Sequence, residues 1–356
     1  MICKRSFYKC FRNICEESIE FSPGINVIYG ENAEGKTNAI EGIYLCSQGR
    51  SHRTLHEKDF IRFGSECASV GVVYSTSERS DVSLSIKYLQ SGGKVCDKNR
   101  VPVNKMSEFI GNFRTVIFTP EHLQTVKSSP QFRRRFIDSA ISQIYPAYVG
   151  ALQRYARALM QRNKLLSLAK EKGISADPSI EVWSLSLAKE AAFITKTRDA
   201  YISKLSLIVT DIFKDMTGGR EIPEVKYSGL MDEQGFERLF TSSVEREIRF
   251  GTTLFGPHKD DLTILLNSRE AKNFASQGQQ RSLALALKLS EGEISKKVSG
   301  EYPVFLLDDV LSELDSKRRD FIVSSVSSRQ VIVTSCDQGA IPGAKMIFCK
   351  NGNYLY

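Results

Sequence analysis

The sequence lacks several features that would place it in common protein classes. No apolar run reaches the length of a membrane-spanning helix, and the first residues lack the continuous apolar core of a signal peptide. The eight cysteines show no C-x-x-C pair or other zinc spacing, and a chain of 356 residues can build a core without disulfides. We therefore expect a cytoplasmic protein without a membrane partner, whose thiols are reduced and mostly buried.

The overall composition is that of a globular protein. Hydrophobic residues make up 41% of the chain and charged residues 25%, and the length suits one large or two moderate domains. The net charge of +8 suits a negatively charged partner such as nucleic acid. The basic runs Arg133–Arg135 and Lys317–Arg319 are typical of solvated helix faces, with DNA contact as the less common alternative. Composition alone therefore favours a nucleic-acid partner only weakly.

One segment fits the phosphate-loop pattern G-x-x-x-x-G-K-[ST]. It follows the apolar run Ile25–Tyr29, which predicts a strand, and it precedes a helical pattern over Asn38–Leu45. In such a loop, backbone N–H groups point toward a phosphate chain, Lys36 neutralises the outer phosphates and the Thr37 hydroxyl ligates magnesium. The pattern therefore predicts a nucleoside triphosphate with Mg²⁺, bound by Gly30, Glu31, Asn32, Ala33, Glu34, Gly35, Lys36 and Thr37.

The chain divides into three parts by its secondary-structure signals. Residues 1–125 are predicted to form strands separated by turns, with antiparallel hairpins around the phosphate loop. Residues 126–250 are mainly helical: an antiparallel pair runs to about Met216, and a further helix is predicted over Gly235–Arg249. Residues 251–356 return to strands and helices and end in a hairpin around Asn351-Gly352. The predicted fold class is α/β with an inserted helical lobe.

An acidic pair at the end of an apolar strand completes a magnesium site. Val304–Leu307 is typical of a strand buried on both faces, and Asp308 at its carboxyl end would reach Mg²⁺ together with Thr37. Asp309 would lie on the other side of the chain and orient the attacking water. Lys36, Asp308 and Asp309 are therefore the predicted catalytic residues. Because most of the chain separates them, its first and last parts must assemble into one ATPase head, the arrangement of ABC-type heads in the SMC group.

A third segment, Ser276-Gln277-Gly278-Gln279-Gln280-Arg281, lies at a predicted helix N-terminus before that strand. Ser276 can cap the helix, Gly278 allows close backbone approach, and the helix N-terminus favours a γ-phosphate. The equivalent loop in heads of the SMC group reaches the nucleotide of a second protomer. The resemblance therefore implies that Ser276, Gly278 and Gln279 bind ATP across a dimer, and Leu311–Asp315 resembles the D-loop of the same heads.

Over essentially its full length the chain resembles the RecF family of bacterial DNA replication and repair proteins. The stretches that carry the resemblance are Phe11–Asn13, Gly49–Thr54, Phe118–Glu121, Ser129–Phe136 and Gly256–Leu262, of which the last is particularly specific. The resemblance implies an ABC/SMC-like ATPase head, in which a mixed sheet carries the phosphate loop, together with a short helical second lobe.

The resemblance also implies a function. Two heads would dimerise when ATP is sandwiched between the phosphate loop of one and Ser276 of the other, and slow ATP hydrolysis would reset the clamp. The dimer would bind single-stranded, gapped or duplex DNA. Its protein partner would be RecR, with RecO and RecA in the same pathway. The implied role is RecA loading at single-strand gaps and stalled forks, recovery of replication, and SOS induction.

The nucleotide loops depart from the related patterns at two places. Ala33 stands where the family commonly has glycine, at a position that the general pattern leaves free, so we expect nucleotide binding to survive. The segment Val331–Asp337 contains no histidine, whereas ABC transporters carry a switch histidine there. Either Thr334 or Ser335 is the expected replacement, which fits slow hydrolysis.

Two further assignments stay open at this level. The residue equivalent to the Q-loop glutamine is expected within Thr119–Gln124, and both Glu121 and Gln124 are candidates. Arg12 is a candidate nucleotide contact, and an ion pair at the surface is an equally consistent role.

Two other functions compete with a RecF-like one. Another SMC-like head acting on DNA would carry a far longer coiled coil than an insertion of about 120 residues can form. A transporter ATPase subunit would need a membrane partner and normally the switch histidine, and neither the basic charge nor the long helical insertion suits it. An ATP-gated DNA-binding protein is the leading hypothesis.

Overall fold

A computed structural model describes residues 1–173, 178–337 and 341–356 of the chain. Its strands are β1 Ile2–Phe11, β2 Ile14–Glu20, β3 Ile25–Tyr29, β4 Cys67–Ser75, β5 Val82–Leu89, β6 Lys94–Lys98, β7 Val101–Pro102, β8 Thr115–Phe118, β9 Pro223–Tyr227, β10 Leu262–Leu266, β11 Arg269–Glu270, β12 Val304–Leu307, β13 Val331–Ser335, β14 Lys345–Lys350 and β15 Asn353–Leu355. Its helices are α1 Lys36–Gln48, α2 Met106–Phe109, α3 Pro130–Ile144, α4 Pro146–Lys172, α5 Ser179–Thr217, α6 Glu233–Ser242, α7 Val244–Phe250, α8 Ala271–Phe274, α9 Gln277–Ser299 and α10 Ser316–Val326.

The central sheet has the strand order β15-β14-β3-β13-β12-β8, with every pair parallel except β14 and β15. Its inner strands are continuous apolar runs because both faces of the sheet are covered. In β12, Leu306 enters the core shared with α1, whereas Phe305 and Leu307 enter a second core with residues of α9 and α10. Parallel pairing places the carboxyl ends of β3, β12 and β13 at one edge of the sheet.

Helix α1 is enclosed between the central sheet and a second, antiparallel sheet of order β2-β1-β4-β5-β6-β7. Its residues from Ala39 to Gln48 are all buried. Gly42 is required by close packing, because a Cβ there would lie 2.4 Å from the ring of Tyr8. The helix ends at Gly49, whose φ of 64° is the left-handed conformation that glycine adopts at helix ends. The loop before α1 is thereby held on two layers of sheet.

The helical lobe is built on α4 and α5, which pack against each other along their length. Arg154 on α4 donates two hydrogen bonds to Glu190 on α5, and Arg162 donates to Ser184, so the two helices run antiparallel. Helix α9 packs against α5, and apolar residues of β10 and α9 join the same core. A third sheet of order β11-β10-β9 covers this lobe. The α/β head with its inserted helical lobe therefore agrees with the predicted fold class.

One local prediction for the helical lobe is wrong, and one strand has no counterpart in the prediction. The single helix predicted over Gly235–Arg249 is two helices, α6 and α7, separated at Ser243. No strand is predicted from the sequence at β9, which begins at Pro223 and pairs with β10. In both cases the chain follows tertiary packing that its local pattern does not encode.

The cysteines carry no disulfide, as expected: all eight are free. They are less buried than predicted, because four are buried, two are intermediate and two, Cys15 and Cys336, are exposed. Across the described ranges, no helix is both long and apolar enough to cross a bilayer.

Candidate nucleotide site

The phosphate loop connects the end of β3 to the start of α1. Gly30 has φ 154°, and a Cβ on it would lie 2.2 Å from the carbonyl oxygen of Cys349. Gly35 has φ 124°, and a Cβ there would lie 3.0 Å from the Asn13 side chain. Both glycines are thus required by backbone conformation and by close neighbours. Ala33 adopts a left-handed φ of 67°, which costs a non-glycine residue about 1–2 kcal/mol and accounts for the preference for glycine there.

The Lys36 ammonium lies inside the curve of this loop. Its Nζ donates to the carbonyl oxygens of Gly30 at 2.7 Å and Glu31 at 2.6 Å, and the residue is 7% exposed. These bonds hold the charge where a phosphate group would approach the loop. The carbonyls are acceptors that a phosphate can replace, because hydrogen bonds between ionised partners are the stronger ones.

Thr37 and Asp308 meet at the edge of the central sheet. The Thr37 hydroxyl donates to Asp308 Oδ1 at 2.9 Å, and the Thr334 hydroxyl donates to the same oxygen at 2.8 Å. Burial raises the pKa of Asp308 above its ordinary value, although both hydrogen bonds oppose that rise. A hydroxyl beside a buried carboxylate is an oxygen donor set of the kind that Mg²⁺ takes, and a cation there would offset the burial of the charge. Thr37 and Asp308 therefore fit the predicted metal.

Asp309 is held by the next strand. Its backbone N–H donates to Thr334 Oγ1 at 2.9 Å, and its φ of 53° lies in the left-handed region. A left-handed conformation at a residue other than glycine persists only where the surroundings fix it, and such residues cluster at functional sites. Thr334 thus contacts both acidic residues. Its hydroxyl donates to the Asp308 carboxylate and accepts from the backbone N–H of Asp309.

Most of these groups line one cavity of about 370 Å³, a size that suits a small-molecule ligand. Gly30 and Asp308 contact the lining residues Lys36 and Thr37 without lining the cavity themselves. The lining residues are Asn32, Ala33, Gly35, Lys36, Thr37, Asn38, Arg53, Asp309 and Thr334. The structure therefore brings the phosphate loop together with the strand ends of β12 and β13. Ser335 and the candidate Q-loop residues Glu121 and Gln124 are absent from this lining, and their roles stay open.

Arg53 was not singled out from the sequence, although it lies within Gly49–Thr54, one of the stretches that carry the family resemblance. Its Nη1 donates to Asn38 Oδ1 at 2.9 Å and to Glu41 Oε2 at 3.2 Å. The side chain is 41% exposed, so it can move toward a ligand in the cavity. The family resemblance of this stretch is the signal that points to Arg53, but no local sequence feature distinguishes Arg53 from the neighbouring Arg50.

Arg12 lies outside the cavity lining. Its Nε and Nη2 each donate to the Glu41 carboxylate at 2.9 Å, and Ser51 Oγ donates to the same carboxylate at 2.5 Å. Burial raises the pKa of Glu41, but the hydrogen bonds from Arg12 and Ser51 outweigh it and hold that pKa below its ordinary value. Arg12 thus forms a partly buried ion pair with α1 in this structure, and its contact with a nucleotide stays a prediction.

Ser276, Gly278 and Gln279 also lie away from this cavity. Ser276 is exposed and caps α9 reciprocally: its hydroxyl accepts from the Gln279 N–H at 3.2 Å, and Gln279 Oε1 accepts from the Ser276 N–H at 2.6 Å. Arg318 on α10 donates to the Gly278 carbonyl at 2.8 Å. The segment is therefore ordered and faces solvent, and within one chain it does not complete the nucleotide cavity.

The stretch Gly256–Leu262 joins the lobes rather than lining the nucleotide cavity. Asp261 accepts two hydrogen bonds from Arg133 on α3, at 2.7 and 2.6 Å, and Asp260 lies 3.5 Å from Arg198 on α5. His258 shares a 2.6 Å hydrogen bond with the Tyr155 hydroxyl on α4. These three side chains therefore fix the loop against three helices.

Comparison with known proteins gives a consistent result. The sequence model of the RecF/RecN/SMC N-terminal domain matches residues 3–350. The DNA replication and repair protein RecF of Ruminiclostridium cellulolyticum is 39% identical over 348 residues, covering 94% of this chain and 92% of that protein. RecF of Clostridium novyi is 40% identical over 329 residues, covering 91% of this chain and 90% of that protein.

Solved structures agree with these sequence matches. A structure of the recombination mediator protein RecF-ATPrS in the RecFOR pathway has a TM-score of 0.93 at 32% identity, covering 99% of this chain and 97% of that chain. An Smc head bound to the C-winged helix domain of ScpA has a TM-score of 0.58 at 16% identity, covering 99% of this chain and 96% of that chain, and shows a shared fold. The predicted SMC-like head is therefore confirmed.

Proposed function

Because the chain belongs to the RecF family of SMC-type ATPases in DNA replication and repair, we propose that it is an ATP-gated DNA-binding repair protein. One observation carries the proposal: Thr37, which lines the cavity, donates a hydrogen bond to Asp308 and so joins the phosphate loop to the end of the acidic strand. ATP is the proposed ligand, a choice that gains support from a related solved structure described as RecF-ATP.

The phosphate loop, the acidic residues after β12 and Arg53 each have a proposed role toward ATP. The loop N–H groups from Gly30 to Thr37 bind the phosphate oxygens, and Lys36 exchanges its carbonyl partners for the outer phosphates. Thr37 and Asp308 hold Mg²⁺, which neutralises charge on the phosphates when it is bound. Asp309 orients the attacking water from the cavity wall, and Arg53, which Asn38 and Glu41 hold beside the first turns of α1, contacts the phosphates.

We propose that a second copy of the chain completes this site. At the N-terminus of α9, Ser276 is exposed and Gly278 is half-buried beside Arg318, and neither takes part in the cavity of its own chain. A helix N-terminus attracts anions, so the γ-phosphate bound to one head can attract the Ser276 segment of another. ATP would then connect two heads, and its hydrolysis would let them separate, which makes hydrolysis a timer for the closed state.

The closed dimer is proposed to bind single-stranded, gapped and duplex DNA. The net charge of +8 favours phosphate contacts, and lysine and arginine contacts release counterions when DNA binds. RecR and RecO are the proposed partners, because the related solved structures are described as recombination mediators in the RecFOR pathway. The proposed outcome is loading of RecA at gaps and stalled forks, with recovery of replication and SOS induction.

The experiment that tests this function is DNA binding with and without ATP, on gapped, single-stranded and duplex substrates at several salt concentrations. ATP should strengthen binding, and the affinity should fall steeply as salt rises. ADP serves as the matched control nucleotide. Affinity that is equal with and without ATP, or independent of salt, would contradict the proposal.

A further inference from the structure

A second cleft lies at the end of α1 that is farther from the phosphate loop. Two cavities of about 480 and 200 Å³ share Arg50, Leu152 and Gln153, and together they form one continuous groove, which we call the interlobe cleft. One wall belongs to the ATPase head, with Arg50 directly after the end of α1 and Met106 on α2. The other wall belongs to α3 and α4 of the helical lobe. No residue of the nucleotide cavity lines this cleft.

Two guanidinium groups, those of Arg50 and Arg135, give the cleft an unmatched positive charge. Arg50 is exposed, and Arg135 is half-buried on α3. Neither has a carboxylate partner or a hydrogen bond among the residues that the structure describes. Arg134 donates at 2.6 Å to the backbone carbonyl of Asp260, and its charge also acts on the nearby carboxylates of Asp260 and Asp261, so it is partly matched.

The remaining ionised groups of the cleft already match one another. Asp138 accepts two hydrogen bonds of 3.0 Å from Arg198 and one of 2.6 Å from the Tyr148 hydroxyl. Lys94 pairs with Glu57 at 2.6 Å. Neither Asp138 nor Glu57 is therefore available to Arg50 or Arg135, and the excess charge of the cleft is positive.

The floor of the cleft is apolar. Leu152 and Leu159 are half-buried on α4, and Ala156 between them is exposed, so one strip of the helix presents aliphatic surface to the groove. An occupant that covers this strip gains the transfer of apolar surface out of water, about 25 cal/mol per Å². The cleft thus combines aliphatic contact with guanidinium groups that form charge-assisted hydrogen bonds to carboxylates.

This combination favours a protein segment over a single strand of nucleic acid. Binding of single-stranded nucleic acid relies on exposed aromatic rings on which bases stack, beside cations that contact phosphates. The tyrosine in the lining, Tyr155, is only 5% exposed, and its hydroxyl is bonded to His258. The aliphatic strip offers no stacking platform, whereas it suits leucine-like side chains.

We propose that the interlobe cleft binds an acidic segment of a partner protein, in which carboxylates alternate with apolar side chains. The carboxylates contact Arg50, Arg134 and Arg135, and the apolar side chains cover Leu152, Ala156 and Leu159. This interaction is separate from the nucleotide site, so it does not depend on the function proposed above.

The test measures fluorescence anisotropy of a labelled peptide of about ten residues in which Asp alternates with Leu, titrated with the full-length protein. The peptide should bind saturably. The Arg135→Glu variant and the Leu152→Asp variant should each weaken binding about tenfold or more, because each removes one half of the recognition. Arg157→Glu, a charge reversal at an exposed α4 residue outside the cleft, should leave the affinity within about twofold.

Two control probes complete the design. Replacing Asp by Asn, or Leu by Ser, in the peptide should abolish binding to the unaltered protein. Unchanged binding of ATP would show that each variant is folded. The proposal is overturned if the peptide does not saturate up to about 1 mM, or if Arg157→Glu weakens binding as much as Arg135→Glu. It is also overturned if the unaltered protein binds an oligo-dT probe and both Arg135→Glu and Leu152→Asp lose binding of that probe but still bind the peptide.

Discussion

The Thr37 hydroxyl donates a 2.9 Å hydrogen bond to Asp308 Oδ1, across 271 positions of sequence. This bond joins the start of α1 to the end of β12, two elements that belong to opposite ends of the chain. Because the whole helical lobe lies between them in sequence, the nucleotide cavity exists only when the head is fully assembled.

Replacing Lys36 with alanine should abolish ATP binding. The ammonium is buried at the centre of the phosphate loop, where it donates to two backbone carbonyls. Two charge-assisted contacts to the phosphates of ATP in their place would be worth about 100-fold or more in affinity. Isothermal titration calorimetry measures the loss directly. Lys189→Ala, at an exposed lysine on α5, is the matched control and should bind ATP normally. If Lys36→Ala bound ATP with the affinity of the unaltered protein, the assignment of ATP to this cavity would be wrong.

Replacing Thr334 with valine should lower ATP turnover about tenfold while the Kd for ATP stays within about twofold. The hydroxyl positions Asp308 and the backbone of Asp309, and valine keeps the volume but removes both hydrogen bonds. Thr334→Ser is the conservative control, and it should restore turnover. If Thr334→Val hydrolysed ATP at the wild-type rate, Thr334 would have no positioning role.

The free energy of unfolding should fall as the pH drops from 6.5 toward 4, because His52 resists protonation in the folded state. Burial lowers the pKa of His52 from 6.5 to about 4, and neither ring nitrogen has a partner among the described residues. The folded state therefore binds the proton less tightly than the unfolded state, so the stability present above pH 6.5 is lost on acidification. The loss is about 2 kcal/mol at pH 5.

Urea unfolding at pH 7 and pH 5 measures this effect. His52→Gln should show a smaller difference between the two pH values than the unaltered protein, by about 2 kcal/mol. His56→Gln, at an exposed histidine four residues away, should behave like the unaltered protein. An identical pH dependence in all three proteins would show that His52 does not titrate differently on folding.

Much of the head could be predicted because its signals are local. The phosphate loop, the apolar strand before Asp308 and the cap at Ser276 each occupy a few consecutive residues, and the structure has the expected strand, loop and helix at each place. The contact between Thr37 and Asp308 could also be expected, since parallel strands bring their carboxyl ends to one edge.

Other parts of the site depend on which strands become neighbours. Thr334 reaches Asp308 because β13 lies between β3 and β12, and neither residue's local sequence specifies that order. Strand β9 begins with a proline after a turn, and its pairing with β10 supplies the hydrogen bonds that define it. The break at Ser243 has neither proline nor glycine to mark it. These features arise from tertiary context, which short patterns do not contain.

The central claim is that Ser276 of one head completes the nucleotide site of another. Light scattering with saturating ATP tests this claim most directly. The unaltered protein and a Ser328→Arg control, altered at an exposed serine elsewhere, should change from the mass of a monomer to that of a dimer when ATP is added. Ser276→Arg should bind ATP with unchanged affinity and remain a monomer. Full ATP-induced dimerisation of Ser276→Arg would contradict the account.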